Sequence, residues 1–309
     1  MRQGGQEPKQ KAGALVGAGL ALLAAFSFGG CDVLVKISEE GLTIWQIALG
    51  RCLLGMASVV VLTRLWKVSL LGRSRLVLLA SGISGAWAFI ILGLTLRRLP
   101  LAETLVLLYL FPAFSALLSP WLAKEKIPAR DWFWVGVAFL GTVVILWPDR
   151  AGSRLEWGHL LGLLSGMSLG VSIALLRRVR DERNALSPYF HYCAAGIVFS
   201  LVPVLSGPGP ILPAGPEAWI ILLLLSALAT AANLATNKSV QFLSAPKAGV
   251  ALMTEVILGG VVGVFFFAEP LTLRLVTGAV LILGGGAFLT LGGSKRKLPG
   301  KAKTVPPPV

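Results

Sequence analysis

The stretch that decides the fold is Leu101 to Ala123, LAETLVLLYLFPAFSALLSPWLA, closed by Lys124-Glu125-Lys126-Ile127-Pro128. It starts after a Leu99-Pro100 break, carries Pro112 near its middle and stops at charge. It matches the ~20 apolar residues that cross the hydrocarbon core of a bilayer. The pattern then returns. A shift of 144 lays Leu99 on Leu243, Val106 on Val250, Leu108 on Leu252 and Glu125 on Glu269, with Pro270-Leu271 where Lys126-Ile127 stood. A long apolar span ending in glutamate, twice, half a chain apart, marks a tandem repeat in a membrane.

The totals agree. A mean hydropathy of +0.80 with 55% hydrophobic and 14% charged residues describes a chain whose solvent is mostly lipid. The formal charge of +14 does not point to nucleic acid, because the basic residues lie in short loops and tails rather than on a soluble domain. Cys31, Cys52 and Cys193 fall inside apolar spans at unrelated spacings, so no disulfide or metal pattern is expected. The basic N-terminus before an apolar run resembles a signal peptide. That run continues to about Lys36 without a small-residue cleavage pattern, and it reads as a first span.

Ten spans follow: 13–36, 43–63, 76–96, 101–123, 131–148, 157–176, 187–206, 216–239, 245–267 and 272–292. The expected fold is therefore all-α and integral to the membrane. Residues 1–12 form an N-tail, 13–148 a first repeat, 157–292 a second, and 293–309 a basic, proline-rich tail. With the N-terminus cytoplasmic, 21 of the 28 Lys and Arg fall on the cytoplasmic face and 6 outside, with Arg51 inside a span. That bias places both termini in the cytoplasm of a cell membrane, the inner one in a cell with two. Five spans per half is an odd number, so the halves run inverted. A second echo at an offset of 141 pairs Gly17, Ser27, Gly29 and Lys36 with Gly158, Ser168, Gly170 and Arg177.

These features together resemble the EamA-type transporters of the drug/metabolite transporter superfamily. The resemblance rests on the paired glutamate turns (Ala123 to Ile127 and Ala268 to Leu271), on Gly136 with Gly141 and Gly278 with Gly284 in the following spans, and on Arg51 within Leu49-Gly50-Arg51-Cys52. It implies ten helices around a central cavity between the halves. In the second half the arginine is replaced, and the corresponding run reads His191-Tyr192-Cys193.

Candidate working residues follow from the cost of polar groups inside a span. Arg51 lies ~12 Å from the near end of its span at 1.5 Å per residue, with Ala48, Gly55 and Ser58 on its stripe. It either contacts an anionic substrate or serves as a structural arginine. Glu255 lies close to the midplane on a face with Ala248, Ala251, Gly259 and Val262. Its charged form there is costly unless a cation or a polar cavity compensates, which makes it the leading candidate for proton coupling, with Asp32 the second. The span 216–239 and the residues just after it carry a polar stripe of Ser226, Thr230, Asn233, Asn237 and Gln241, expected to line a water-filled path. Tyr109 and Trp87 are further cavity candidates, each with a plain packing alternative. Tyr109 is also placed to donate to a carbonyl freed by Pro112. Asp32 and Lys36, at i and i+4, are expected to pair locally, and Glu103 to answer Arg97 or Arg98. Glu125 and Glu269, the repeat signature, read as capping residues.

The expected function is secondary transport of a small organic metabolite, in the exporting direction, by alternating access between inverted repeats, with protons as the candidate coupling ion. The alternatives are an integral-membrane lipid-modifying enzyme and a facilitative carrier or exchanger. The enzyme lacks its clustered metal or acid-base ligands in this sequence. No catalytic residue, cofactor or metal is expected. The partners are the substrate and membrane lipid, in a monomer or homodimer.

Overall fold

A computed structural model describes residues 6–38, 41–68, 70–72, 74–122, 128–147, 156–179, 186–207, 211–213, 215–242 and 250–293. Among them the chain is helical and has no strand. The helices are α1 (Gln6–Ile37), α2 (Ile44–Trp66), α3 (Arg75–Leu96), α4 (Leu101–Leu108), α5 (Phe111–Leu122), α6 (Ala129–Leu146), α7 (Trp157–Arg178), α8 (Leu186–Ser206), α9 (Pro216–Phe242), α10 (Thr254–Phe267) and α11 (Leu273–Gly293). Among the described residues nine segments are long and apolar enough to span a membrane, and Leu273–Leu289 is a shorter apolar helix. Glu125 lies outside the described residues.

Local sequence explains several ends. Thr43 caps α2 by accepting from the Gln46 amide at 3.2 Å, while Gln46 Oε1 accepts from the Thr43 amide at 2.8 Å. This reciprocal pair satisfies two otherwise orphaned donors. Ala268 ends α10 in the left-handed conformation, φ 51°. The Glu269 amide then reaches back to the Gly263 carbonyl at 2.9 Å, a turn that folds the following side chain over the helix end.

The fourth span, continuous in the sequence pattern, is in fact two helices. Pro112 has no amide to give Leu108, and the chain turns at Tyr109 and Leu110, where the Leu110 amide bonds the Leu107 carbonyl at 3.3 Å. The ninth span breaks at the repeat-equivalent place without a proline. Met253 is a turn, its amide bonding Val250 and its carbonyl accepting from Val256, both at 3.1 Å. Glycines of α7 cover the first break closely: a side chain on Gly166 would meet the Leu107 carbonyl at 2.7 Å and that of Leu108 at 3.2 Å.

Packing follows the pseudo-twofold relation of the halves. α1 packs on α9 as α7 packs on α3, and α2 on α9 as α8 on α3. Helix α2 meets its own counterpart α8 and α6 meets its counterpart α11, so the pseudo-axis runs between the members of each pair, while α4 of the fourth span packs on α10 of the ninth. At the α2–α8 crossing, a side chain on Gly55 would meet the Cys193 sulfur at 2.9 Å, and Cys52 packs reciprocally on Gly196. Cys52 and Cys193 are themselves equivalent at the 141 offset.

The perimeter is apolar: Leu15, Leu76, Phe265 and Phe266 are among the fully presented side chains. Six of the exposed tryptophans form two girdles near helix ends, Trp66, Trp121 and Trp132 at one end of the bundle and Trp147, Trp157 and Trp219 at the other, while Trp87 lies mid-helix in α3. Such girdles sit at the two membrane–water interfaces.

Of the four glycines that carried the resemblance, two make the α6–α11 contact. A Cβ on Gly141 would lie 2.7 Å from the Gly278 carbonyl oxygen, and one on Gly278 would lie 2.8 Å from that of Gly141, whereas Gly136 and Gly284 meet nothing within 4 Å. Gly141→Ala is therefore expected to force the helices apart and cost roughly 1–3 kcal/mol, as overpacking does. Gly136→Ala is expected to be neutral or to stabilise the helix by up to ~1 kcal/mol. Thermal unfolding of the two variants in detergent checks this; equal melting temperatures would remove the assigned contact.

Candidate functional site

Where the two broken spans cross, Tyr109 leaves the end of α4 and its hydroxyl donates to the Leu252 carbonyl at 2.6 Å and to Glu255 Oε2 at 2.9 Å. The expected local use of this hydroxyl, on a carbonyl freed by Pro112, is replaced by a bond across the halves: the tyrosine of one break satisfies the carbonyl of the other. Glu255, second residue of α10, is buried, and its carboxyl group also meets that of Asp32 from α1. Two carboxyl groups so close, out of water, repel each other unless one carries a proton for both.

Arg51 lies across a cavity from Asp32, both lining it together with Phe89 and Tyr192. Arg51 is 8% exposed and Asp32 5%. The guanidinium carbon sits 4.2 Å from the Phe89 ring centroid and 6.0 Å from that of Tyr192. Aromatic faces stabilise a desolvated cation without neutralising it. Tyr192 is the repeat counterpart of Arg51, so the second half answers the single arginine with a ring that stacks on it. Tyr192 in turn stacks with Tyr189 at 5.8 Å, and Phe89 with Phe28 at 6.3 Å. The cavity extends from this group towards Ile44 and Leu96, at the bundle end that carries Lys36 and Leu101.

At that end Lys36 Nζ donates to Glu269 Oε1 and to the Leu99 carbonyl, the latter at 3.2 Å. The first amide of α4, on Leu101, donates to both Glu269 oxygens, at 2.9 and 2.8 Å. A carboxylate at a helix N-terminus satisfies an orphan donor and the positive end of the helix dipole. Glu269 therefore caps the first turn of α4. The local Asp32–Lys36 pair is not formed, because α1 turns Asp32 inward to Glu255 and leaves Lys36 to Glu269. Nor does Glu103 answer Arg97 or Arg98. It meets His159 Nε2 at 2.9 Å, while Arg97 donates to the Leu42 carbonyl.

The structure thus brings together Asp32, Arg51, Tyr109 and Glu255. Trp87 lies apart, 38% exposed and tilted against Phe199 at 5.1 Å. Asn233 is half-buried and returns its amide to its own helix, Nδ2 donating to Ala229 at 2.8 Å. Thr230 is buried against Tyr189. The Asn237 side chain lies outside the described residues. Serines of α3 and α7 bond the halves together: Ser81 Oγ donates to the Ser172 carbonyl at 3.1 Å and Ser84 Oγ to that of Ser168 at 2.7 Å. Phe89 and Tyr192 escaped the sequence reading. For Tyr192 a signal existed, since it stands in the repeat where Arg51 stands.

Known proteins are similar to this chain in fold and sequence. One solved structure covers 92% of this chain, and 98% of its own, at a TM-score of 0.59 and 19% identity, a likeness of fold alone. The pseudopaline exporter CntI of Pseudomonas aeruginosa is 25% identical over 85% of this chain and 92% of its own length. Solute carrier family 35 member G1 of Mus musculus is 22% identical over 91% of this chain and 80% of its own. The pattern of the EamA-like transporter family matches twice, at residues 15–147 and 156–291. Two matches that together span most of a ten-span, two-repeat membrane bundle leave one assignment: this chain belongs to the EamA-like transporter family.

Proposed function

We propose that the protein is a secondary transporter that exports a small organic metabolite across the cytoplasmic membrane, with the termini cytoplasmic and the Asp32–Glu255 pair as its proton site. One observation carries the reading. A buried carboxyl pair sits where the interrupted helices of both halves meet, hydrogen-bonded to Tyr109 across the break. Discontinuous helices of inverted repeats meeting near the midplane are where secondary transporters hold substrate and coupling ion. A proton shared there adds one charge to a site that alternating access would expose to each side in turn. The exporting direction draws on the name of one relative, and the reading of a carrier rather than an enzyme on the names of several. Partnership with substrate and lipid belongs to the same reading.

The test is the purified protein in liposomes enclosing a pH-sensitive dye, challenged with a panel of amino acids, carboxylates and amines. Proton movement triggered by particular compounds, and absent from protein-free liposomes, is expected. Substrate flux without proton movement would select the second reading, a facilitative carrier. No flux for any compound would overturn both. Orientation rests on the basic bias of the loops. A reporter active only outside the cytoplasm, fused after Gly293, is expected to be silent; an active fusion would reverse it.

A further inference from the structure

We propose that Cys52 and Cys193 are a redox-active pair, which hydrogen peroxide entering through the cavity closes into a disulfide that staples the two halves together. Both are free thiols in this structure, Cys52 2% exposed and Cys193 fully buried. Their side chains hydrogen-bond to each other where α2 crosses α8. Glycines make the close approach possible. The Cys52 sulfur lies over Gly196, one turn after Cys193, and the Cys193 sulfur lies over Gly55, one turn after Cys52. A Cβ on Gly196 would stand only 3.4 Å from that of Cys52. Helices packed this closely bring two thiols within reach of one bond.

The two cysteines occupy the same place in their repeats, 141 residues apart. A residue meets its own repeat counterpart only beside the pseudo-twofold axis, so the contact follows from the topology. That position has a consequence for motion. When inverted repeats exchange conformations, each half takes up the shape the other had. The separation of two equivalent residues is then the same before and after the exchange. A bond between them suits both states, whereas a bond between inequivalent residues favours one. The disulfide therefore holds the halves together without arresting either.

Cys52 lines the cavity, as does Arg51, whose cation lies beside the route of entry. The Cys52 sulfur attacks one peroxide oxygen: an S–O bond forms, the O–O bond breaks, and hydroxide leaves as water with the thiol proton. The Cys193 sulfur then displaces the oxygen from Cys52, which leaves as a second water with the Cys193 proton. Two thiols lose two electrons, and the peroxide is reduced to two waters.

The test uses the full chain in detergent, with a protease site inserted in the connection 148–155 and hydrogen peroxide as the probe. After peroxide, cleavage and denaturation, most of the protein is expected to run as one species without reductant and as two halves with it. Maleimide labelling should show two of the three thiols lost. Cys31, whose sulfur donates to the Leu225 carbonyl at 3.5 Å, should keep its own. Cys31→Ala should therefore change nothing, while Cys52→Ala or Cys193→Ala abolishes the link. The melting temperature should rise on oxidation, because the bond closes a long loop of the unfolded chain, and return with reductant. Halves that separate after both thiols are consumed, or thiols that outlast the peroxide, would overturn the pair. In liposomes, on the transporter reading, substrate flux should persist in the linked protein. Flux that stops on linkage and returns with reductant would overturn the staple and make the bond a lock. The link forms or fails irrespective of transport, so a linked protein with no flux before or after oxidation would sink the transporter reading and leave the pair standing.

Discussion

Glu255→Gln is expected to leave the protein folded and able to exchange substrate for substrate, but unable to build a gradient from a proton gradient. Glutamine keeps the size of the side chain and can still accept from Tyr109 and bond to Asp32. It loses the exchangeable proton. The groups facing this carboxyl are Asp32 from α1, Tyr109 from the α4–α5 break and, farther off, Arg51 from α2. Tyrosine and arginine keep their protons across the physiological range, which leaves Asp32 as the remaining carboxyl of the pair. With Glu255 uncharged, Asp32 has no carboxylate to repel it and sits with the Arg51 cation as its charge complement. Proton-driven accumulation should therefore fall at least tenfold, to the level of passive exchange, and the flux should lose its pH dependence around neutrality. Counterflow and pH-jump measurements in the same liposomes separate the two activities. An unaltered pH profile at normal folding would reduce Glu255 to a packing residue that holds α10 against α4.

The membrane class, the two halves and the positions of most spans were legible in the sequence. They depend on long apolar runs and on self-similarity, and both survive without knowledge of neighbours. Pairings across the halves were not legible. Lys36 reaches Glu269, 233 residues away, although Asp32 stands one turn before it. On an isolated helix Asp32 is the better partner. In the bundle both lie on one face of α1 at different depths: Asp32 is level with Glu255, and Lys36, one turn further on, is level with the turn after α10. The same holds for Glu103, which bypasses Arg97 and Arg98 on the adjacent chain for His159 on α7. Polar periodicity is ambiguous in a different way. In lipid a serine, threonine or asparagine can satisfy itself on the carbonyl four residues back, as Asn233 does on Ala229 and Thr236 on Ala232. A polar stripe therefore marks helical spacing and does not by itself mark water. Groups that cannot do this, the guanidinium of Arg51 and the carboxyls of Asp32 and Glu255, converge on the cavity.

Glu269→Gln is expected to loosen the bundle end at which Lys36, Leu99 and Leu101 meet. The carboxylate holds a lysine of α1 and the first amide of α4, so one side chain of the second half ties down two elements of the first. Side-chain exposures of 18% for Lys36 and 10% for Glu269 place the pair in a partly dry site. Removing one charge there leaves the other without compensation, at a cost of roughly 2–3 kcal/mol, less than for a fully buried pair because Lys36 still touches water. The melting temperature should fall accordingly. Lys36→Met in the Glu269→Gln background should recover part of the loss, since no unmatched ammonium remains. The site also bears on access, because the cavity that holds Arg51 extends towards this end and Cys52 lines it. If the tie closes that end, weakening it should expose Cys52 to a small aqueous thiol reagent applied from the same side. In a background of Cys31→Ala and Cys193→Ala, labelling of Cys52 should rise several-fold in Glu269→Gln and return towards the starting rate when the cavity is filled. An unchanged labelling rate beside a lowered melting temperature would leave Glu269 as a helix cap that stabilises the fold and does not gate the cavity.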